Sequence, residues 1–276
     1  NRDEAILYHT HPLRADSDKD LMRDGWEVAH HLNSLENDAA NDPDGDQLPN
    51  IYEHTLNSDP QNTNDPPTEM YVTEGGSDNA PGNEAAPWVT IAHAMTAAQL
   101  YTASNLYTHP MTIHLGAGVF NEHVEMAPQT TLSGAGQDAT VIRHFDAAET
   151  EHIVVNAAQH CAVQDLVITL PAIYPAVEVL MRIEDVAANV TRVTFNGKFN
   201  QNATGILISG VNSSASQIRD CMFKNLNDAI WDVESGVNIA NNTFDAILKD
   251  AIFINPPQGD FKTEIVPLLG DSAHAE

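Results

Sequence analysis

The chain predicts a mainly β fold, a solenoid of parallel coils preceded by a small segment of acidic loops and short helices. Three observations predict it. Short alternating strands recur in the same order between residues 163 and 254, the composition changes sharply near residue 67, and two identically spaced acidic loops lie before that change.

The 276 residues are enough to bury a substantial core, and 42% of them are hydrophobic, as in globular rather than disordered chains. The formal charge is −27, from 12 Lys and Arg against 39 Asp and Glu. Such a surface repels phosphate backbones and anionic lipid, so neither nucleic acid nor a membrane surface is an expected partner. No apolar run approaches the roughly 18 residues of a membrane span. The opening Asn1-Arg2-Asp3-Glu4 is polar, so no signal peptide is expected in this numbering, which for a secreted protein would start after cleavage. Bound cations relieve carboxylate repulsion, and the balance suits an extracellular, calcium-rich or saline setting. Cys161 and Cys221 are too few for a disulfide framework and leave one disulfide or two buried thiols as equal options.

The acidic loops come first in the chain. Asp16, Asp18, Asp20, Asp24 and Glu27 occupy positions one, three, five, nine and twelve of a twelve-residue window, with Met22 at position seven offering its carbonyl. Asp42, Asp44, Asp46, Asn50 and Glu53 repeat the spacing 26 residues later, with Leu48 at position seven. Calcium takes six to eight oxygens on a short loop that wraps around it, and this pattern supplies them; magnesium keeps more of its waters and fits less well. Residues 26–32 and 51–56 are expected to form the short helices that carry the closing glutamates. The pattern resembles the EF-hand loop except at position six, where Leu21 and Gln47 replace the usual glycine. With Ser58-Asp59-Pro60 following, it also resembles the thrombospondin type 3-like calcium repeats of bacterial surface proteins. That resemblance implies ligands shared between loops, with Asp38 and Asp59 as further candidates.

Residues 57–67, rich in Asn, Asp and Pro, read as a linker, which gives a calcium-binding segment at 1–67 and a solenoid with a C-terminal tail at 68–276. Segments starting at Val163, Val190, Ile218 and Ile239 align, 27, 28 and 21 residues apart. Shorter strands follow each, at Val177, Ile206, Ile230 and Ile252. Repeats of this length without room for a long helix indicate coils that stack around one continuous core. The run Tyr71-Val72-Thr73-Glu74-Gly75-Gly76-Ser77-Asp78, then Pro81-Gly82 and Ala86-Pro87-Trp88-Val89-Thr90-Ile91, resembles the opening of bacterial right-handed parallel β-helix proteins of the pectate-lyase-like superfamily. Residues 113–122 and 131–136 resemble its next strand-and-turn signatures, and the resemblance implies that 92–100 form a helix capping the first coil.

The fold hosts lyases, hydrolases, esterases and non-enzymes, so it implies no single activity. Asp228 and Asp250 fall at one site of adjacent coils, where they could share a proton or cap turns; turn capping is the expectation. Arg182, Arg192, Arg219 and Lys224 do not form one row and carry no lyase signature. The sequence therefore points away from catalysis. It points to a secreted or cell-surface calcium-binding β-helix protein with a structural, adhesive or self-assembling role, joined through the helix ends or the strand-like piece 261–266 of the tail. The alternative is a calcium-assisted lyase or glycoside hydrolase acting on an acidic polysaccharide.

Overall fold

The computed structural model describes residues 7–11, 13–46, 48–56, 58–63, 65, 68–102, 110–144, 151–171, 177–233 and 236–255. The piece 261–266 lies outside them. The chain divides into two compact units, one of residues 1–68 with 100–109 and one of 69–99 with 110–276.

The larger unit is a right-handed parallel β-helix, in which all strand pairs of its two sheets are parallel. One sheet begins with Glu69–Val72, Met111–Leu115 and Thr130–Ser133 and continues through Cys161–Thr169 and Ala188–Asn196 to Gln217–Arg219 and Asn238–Ala240. The other runs through Val124–Glu125, Glu151–Asn156, Val177–Glu184, Ala203–Ser209, Asp228–Val233 and Asp250–Asn255. Alternation along each strand sends one set of side chains inward, where register stacks like on like. Met70, Ile113, Leu132, Val163, Val190, Ile218 and Ile239 form one interior column. Val124, Val155, Met181, Ile206, Ile230 and Ile252 form another from the opposite sheet. Phe195, Phe223 and Phe244 stack in a third, with ring centroids 4.9 and 5.3 Å apart. Burial is complete for Phe195 and Phe223 and partial for Ile239, Phe244 and Ile252 in the last coil. Gly205 is needed within the strand Ala203–Ser209, because a Cβ there would lie 2.5 Å from the carbonyl oxygen of Ala229.

The repeated segments are not the unbroken strands that alternation suggests. Asp165, Arg192, Asp220 and Asn241 occupy one register column, and all have φ between 53° and 58°. This left-handed column splits the later segments into Gln217–Arg219 with Met222–Lys224, and Asn238–Ala240 with Thr243–Asp245. Asn and Asp tolerate that conformation better than other non-glycine residues. Arg192 occupies it while its Nε and Nη2 each donate to one Asp165 carboxylate oxygen at 2.6 Å.

The helix after the first strand runs from Ile91 to Thr102, longer than expected, and buries Ile91, Ala94, Met95 and Ala98 along one face. Thr90 Oγ1 accepts from His93 N at its start, and the Glu122 carboxylate accepts from Ile91 N and Ala92 N. Cys161 and Cys221 are buried free thiols at different points of the coil, and burial raises them to about 11 and about 12, so they are inert. Among the described residues no helix is long and apolar enough to cross a membrane.

Candidate functional site

In the smaller unit the two acidic loops fold alike, and the likeness is carried by the main chain. Asp24 N donates to Ala15 O, and Asn50 N to Asn41 O, nine residues back in both. The helices Asp24–Ala29 and Asn50–Leu56 begin there. The first is shorter than the expected 26–32, because His31 at φ 61° turns the chain and Leu32 N closes onto Glu27 O at 2.8 Å. Ser58 N closes onto Glu53 O at 3.0 Å in the second loop. The two loops are thus one motif repeated every 26 residues.

Aspartates at alternate positions turn each loop by accepting amides from residues just ahead. Asp16 accepts from Lys19 N at 2.6 Å and Leu21 N at 3.1 Å, and Asp18 and Asp20 accept from Asp20 N and Met22 N. In the second loop Asp42, Asp44 and Asp46 accept from Gly45 N, Asp46 N and Leu48 N. Position four takes a positive φ in both loops, 70° at Lys19 and 82° at Gly45. Leu21, where an EF-hand has glycine, adopts φ 79° with its side chain exposed. The missing glycine therefore leaves the sharp turn in place at the cost of local strain. Gln47 lies outside the described residues. Met22 and Leu48 bury their side chains completely and hold their amides on the loop aspartates, anchoring each loop from below. Trp26 packs edge-on against His54 at 4.9 Å, joining the two helices.

The carboxylates converge in three groups whose ligand oxygens lie within 4.8 Å of one another: Asp16 with Asp18 and Asp20, Asp20 with Glu27 and Asp38, and Asp42 with Asp44 and Asp46. Glu27 is 0% exposed, and neither of its carboxylate oxygens has a hydrogen-bond partner. Glu53 is also 0% exposed, with Oε1 3.4 Å from Ser58 Oγ and Oε2 without a partner. Asp18 Oδ2, Asp20 Oδ2, Asp38 Oδ1, Asp44 Oδ2 and Asn50 Oδ1 are buried and unpartnered as well. Burial, then the charges of Asp18, Asp20 and Asp38, pushes Glu27 up to about 8. Burial, then Asp44 and Asp46, does the same to Glu53. Buried oxygens without hydrogen bonds are costly, and an all-oxygen carboxylate set of this kind suits a hard divalent cation.

Asp24 is held differently from the other loop acids. Its Oδ1 accepts from Ser17 N and its Oδ2 from Ser17 Oγ, both at 2.7 Å, so it braces the loop from within. Asp38 joins Asp20 and Glu27 in its place. Around the second loop, Asp59 does not enter an acidic group among the described residues. Its amide donates to Asp65 Oδ2 at 3.1 Å, as Asn33 N, 26 residues earlier, donates to Asp38 Oδ2. Asp65 is raised by burial first and by Asp59 and Asp46 among its neighbours, a residue that spacing alone did not single out.

On the β-helix, register pairs Asp228 with Asp250, and Lys249 Nζ stands between them at 3.5 and 3.3 Å while lying over the Trp231 ring. Asp228 also accepts from Asn227 Nδ2 at 2.7 Å. The pair is a strand start bridged by one lysine. Arg182 and Arg219 occupy outward positions in different sheets. Lys224 stacks on Asn196 and Asp245.

No family model matches the chain, and no curated protein matches it. Among solved structures it is similar to the pectin methylesterase PemA from Erwinia chrysanthemi, with a TM-score of 0.46 and 16% identity over 63% of this chain and 54% of that one. It is also similar to a pectin methylesterase in complex with hexasaccharide VII, with a TM-score of 0.45 and 17% identity over the same shares. The chain spans about half the length of these structures, and the likeness is one of fold alone.

Proposed function

We propose that this is an extracellular calcium-binding β-helix protein whose two N-terminal loops each hold one calcium ion. The observation that carries the reading is the pair of fully buried glutamates, Glu27 and Glu53, three of whose four carboxylate oxygens have no hydrogen-bond partner. The first loop would supply Asp16, Asp18, Asp20 and Glu27, and the second Asp42, Asp44, Asp46, Asn50 and Glu53, with Met22 and Leu48 adding main-chain carbonyls. Bound calcium would replace the missing hydrogen bonds and cancel repulsion within each loop.

The direction of the pH dependence follows. Without calcium, Glu27 and Glu53 hold their protons up to about 8 in the folded unit and release them near 4.5 when it unfolds. The calcium-free fold thus binds more protons than the unfolded chain between these values, so its stability falls as pH rises through that window. Calcium must displace those protons, so affinity should rise across the window and level off above it. Calorimetric titration at about pH 5.5 and about pH 8 should show at least a tenfold gain in affinity, with proton uptake by the buffer at the lower pH. Equal affinity at both, with no proton release, would rule out the buried glutamates as ligands.

A second reading concerns the β-helix, and its outer surface favours it. Ahead of the left-handed column, the outward positions of the first sheet make two parallel rows, Glu69, Thr112, Thr131, Ala162, Asn189, Gln217 and Asn238 in one, and Tyr71, His114, Ser133, Gln164, Thr191, Arg219 and Ala240 in the other. Glu69 in the first coil and Arg219 are the two charged residues among these fourteen, although the chain carries a net −27. Rows of hydroxyl and amide groups spaced by about 4.8 Å suit a neutral polysaccharide better than an acidic one, which would need cations along the face. Assembly or adhesion through the half-exposed last coil fits the same architecture. Binding to a panel of neutral and uronate glycans tests it: retention by neutral chains, lost in Thr131→Glu with Thr191→Glu, is expected. Retention by uronates alone would overturn it.

A further inference from the structure

The connection between the loops contains a residue that belongs to both. Asp38 lies four residues ahead of Asp42, outside both twelve-residue windows. Its Oδ1 is buried without a hydrogen bond and joins the group formed with Asp20 and Glu27. Its Oδ2 accepts from Asn33 N at 3.1 Å, which fixes the side chain toward the first loop. Its carbonyl oxygen accepts from Asn50 Nδ2 at 2.9 Å and from Asn41 N at 2.8 Å. Asn50 is 0% exposed and stands at position nine of the second loop. Because the amide nitrogen is committed to Asp38, the orientation of Asn50 Oδ1 is set by where the Asp38 peptide sits. Ile51 N donates to Ala39 O at 3.0 Å, so the first turn of the second helix hangs from the same short segment. Asp38 joins the first loop where the loop's own position-nine residue, Asp24, is held by Ser17 and enters none of the three acidic groups. The group is more than a cluster of acids, since the fully buried Glu27 points two unsatisfied oxygens into it.

We infer that Asp38 couples the two loops, so that a divalent cation held in the first loop fixes the Asp38 peptide and presents Asn50 to the second, making calcium binding positively cooperative. The inference rests on the proposed calcium sites. The cation draws the Asp38 carboxylate to the first loop, and the peptide that follows aligns the Asn50 amide. By linkage the effect runs both ways, and filling the second loop raises the affinity of the first by the same factor. Without the cation, Asp20 and Asp38 face each other beside Glu27 with no counter-charge, which weakens the hold on the connecting turn.

Calcium titration of the full chain, followed by calorimetry, tests this with Asp38→Asn and Asp24→Asn. Asp38→Asn keeps the main-chain carbonyl and an oxygen for Asn33 N, so the fold is preserved while the carboxylate charge is lost. The expected wild-type curve has two sites and a Hill coefficient above one. Asp38→Asn should lower first-loop affinity by at least tenfold and reduce the Hill coefficient to one, whereas Asp24→Asn should cost less and leave cooperativity in place. Near-ultraviolet circular dichroism at saturating calcium should match wild type for both variants. Two independent sites in the wild type, or a larger loss in Asp24→Asn than in Asp38→Asn, would overturn the coupling while leaving the calcium sites standing. Absence of calcium binding by the wild type would instead refute the underlying reading.

Discussion

Replacing both closing glutamates, Glu27→Gln with Glu53→Gln, is expected to abolish tight calcium binding, and each single change should weaken its own loop well over tenfold, or about 1.4 kcal/mol. Each glutamate is fully buried and reaches the loop from the first turns of a short helix. Glutamine keeps the shape and one oxygen but removes the charge and the two-oxygen grip of the last ligand. The same change removes a carboxyl that, without calcium, stays protonated up to about 8, because burial and then Asp18, Asp20 and Asp38 around Glu27, or Asp44 and Asp46 around Glu53, disfavour its charge. The variants should therefore be no less stable than wild type without calcium, and clearly less stable with it. Thermal unfolding with and without calcium gives both halves of the comparison. Variants that bind as tightly as wild type would show that the loops were misread.

The second large effect is regional. Chelation should strip hydrogen-exchange protection from residues 16–59 while the coils from Met111 to Asn255 keep theirs. Met22 and Leu48 are the only fully buried large apolar side chains before residue 67 among the described residues, a core too small to hold the segment alone. Occupancy at about a hundred times Kd contributes about 2.7 kcal/mol per site, comparable to the stability such a segment can have. The β-helix instead buries three continuous columns of apolar side chains. Amides that close the loops, Asp24 N, Leu32 N, Asn50 N and Ser58 N, are the most direct reporters. Loss of protection in Val190 or Ile206 on chelation would contradict the separation.

The coils were legible because stacking in register demands the same kind of residue at the same point of every turn. Val163, Val190, Ile218 and Ile239 announce one interior column, and Ile168, Phe195, Phe223 and Phe244 announce another. The left-handed column was hidden by Arg192, which adopts the conformation alongside Asp165, Asp220 and Asn241 although arginine has no local preference for it. In the loops, the periodic aspartates fix the turns, so their geometry followed from spacing. That Ser17, seven residues earlier, donates to both oxygens of Asp24 is a contact no spacing rule encodes. Asp38, a further candidate from the resemblance, meets Asp20 and Glu27 through the way the connection between the loops folds back, a tertiary fact.

Native mass spectrometry of the full chain in ammonium acetate with micromolar calcium tests the central claim most directly, because it counts ions without reference to affinity models. The account predicts two calcium ions per chain in the wild type, one in each single glutamine variant and none in the double variant. A wild-type chain that carries no calcium, or that carries the same number after both replacements, would contradict it.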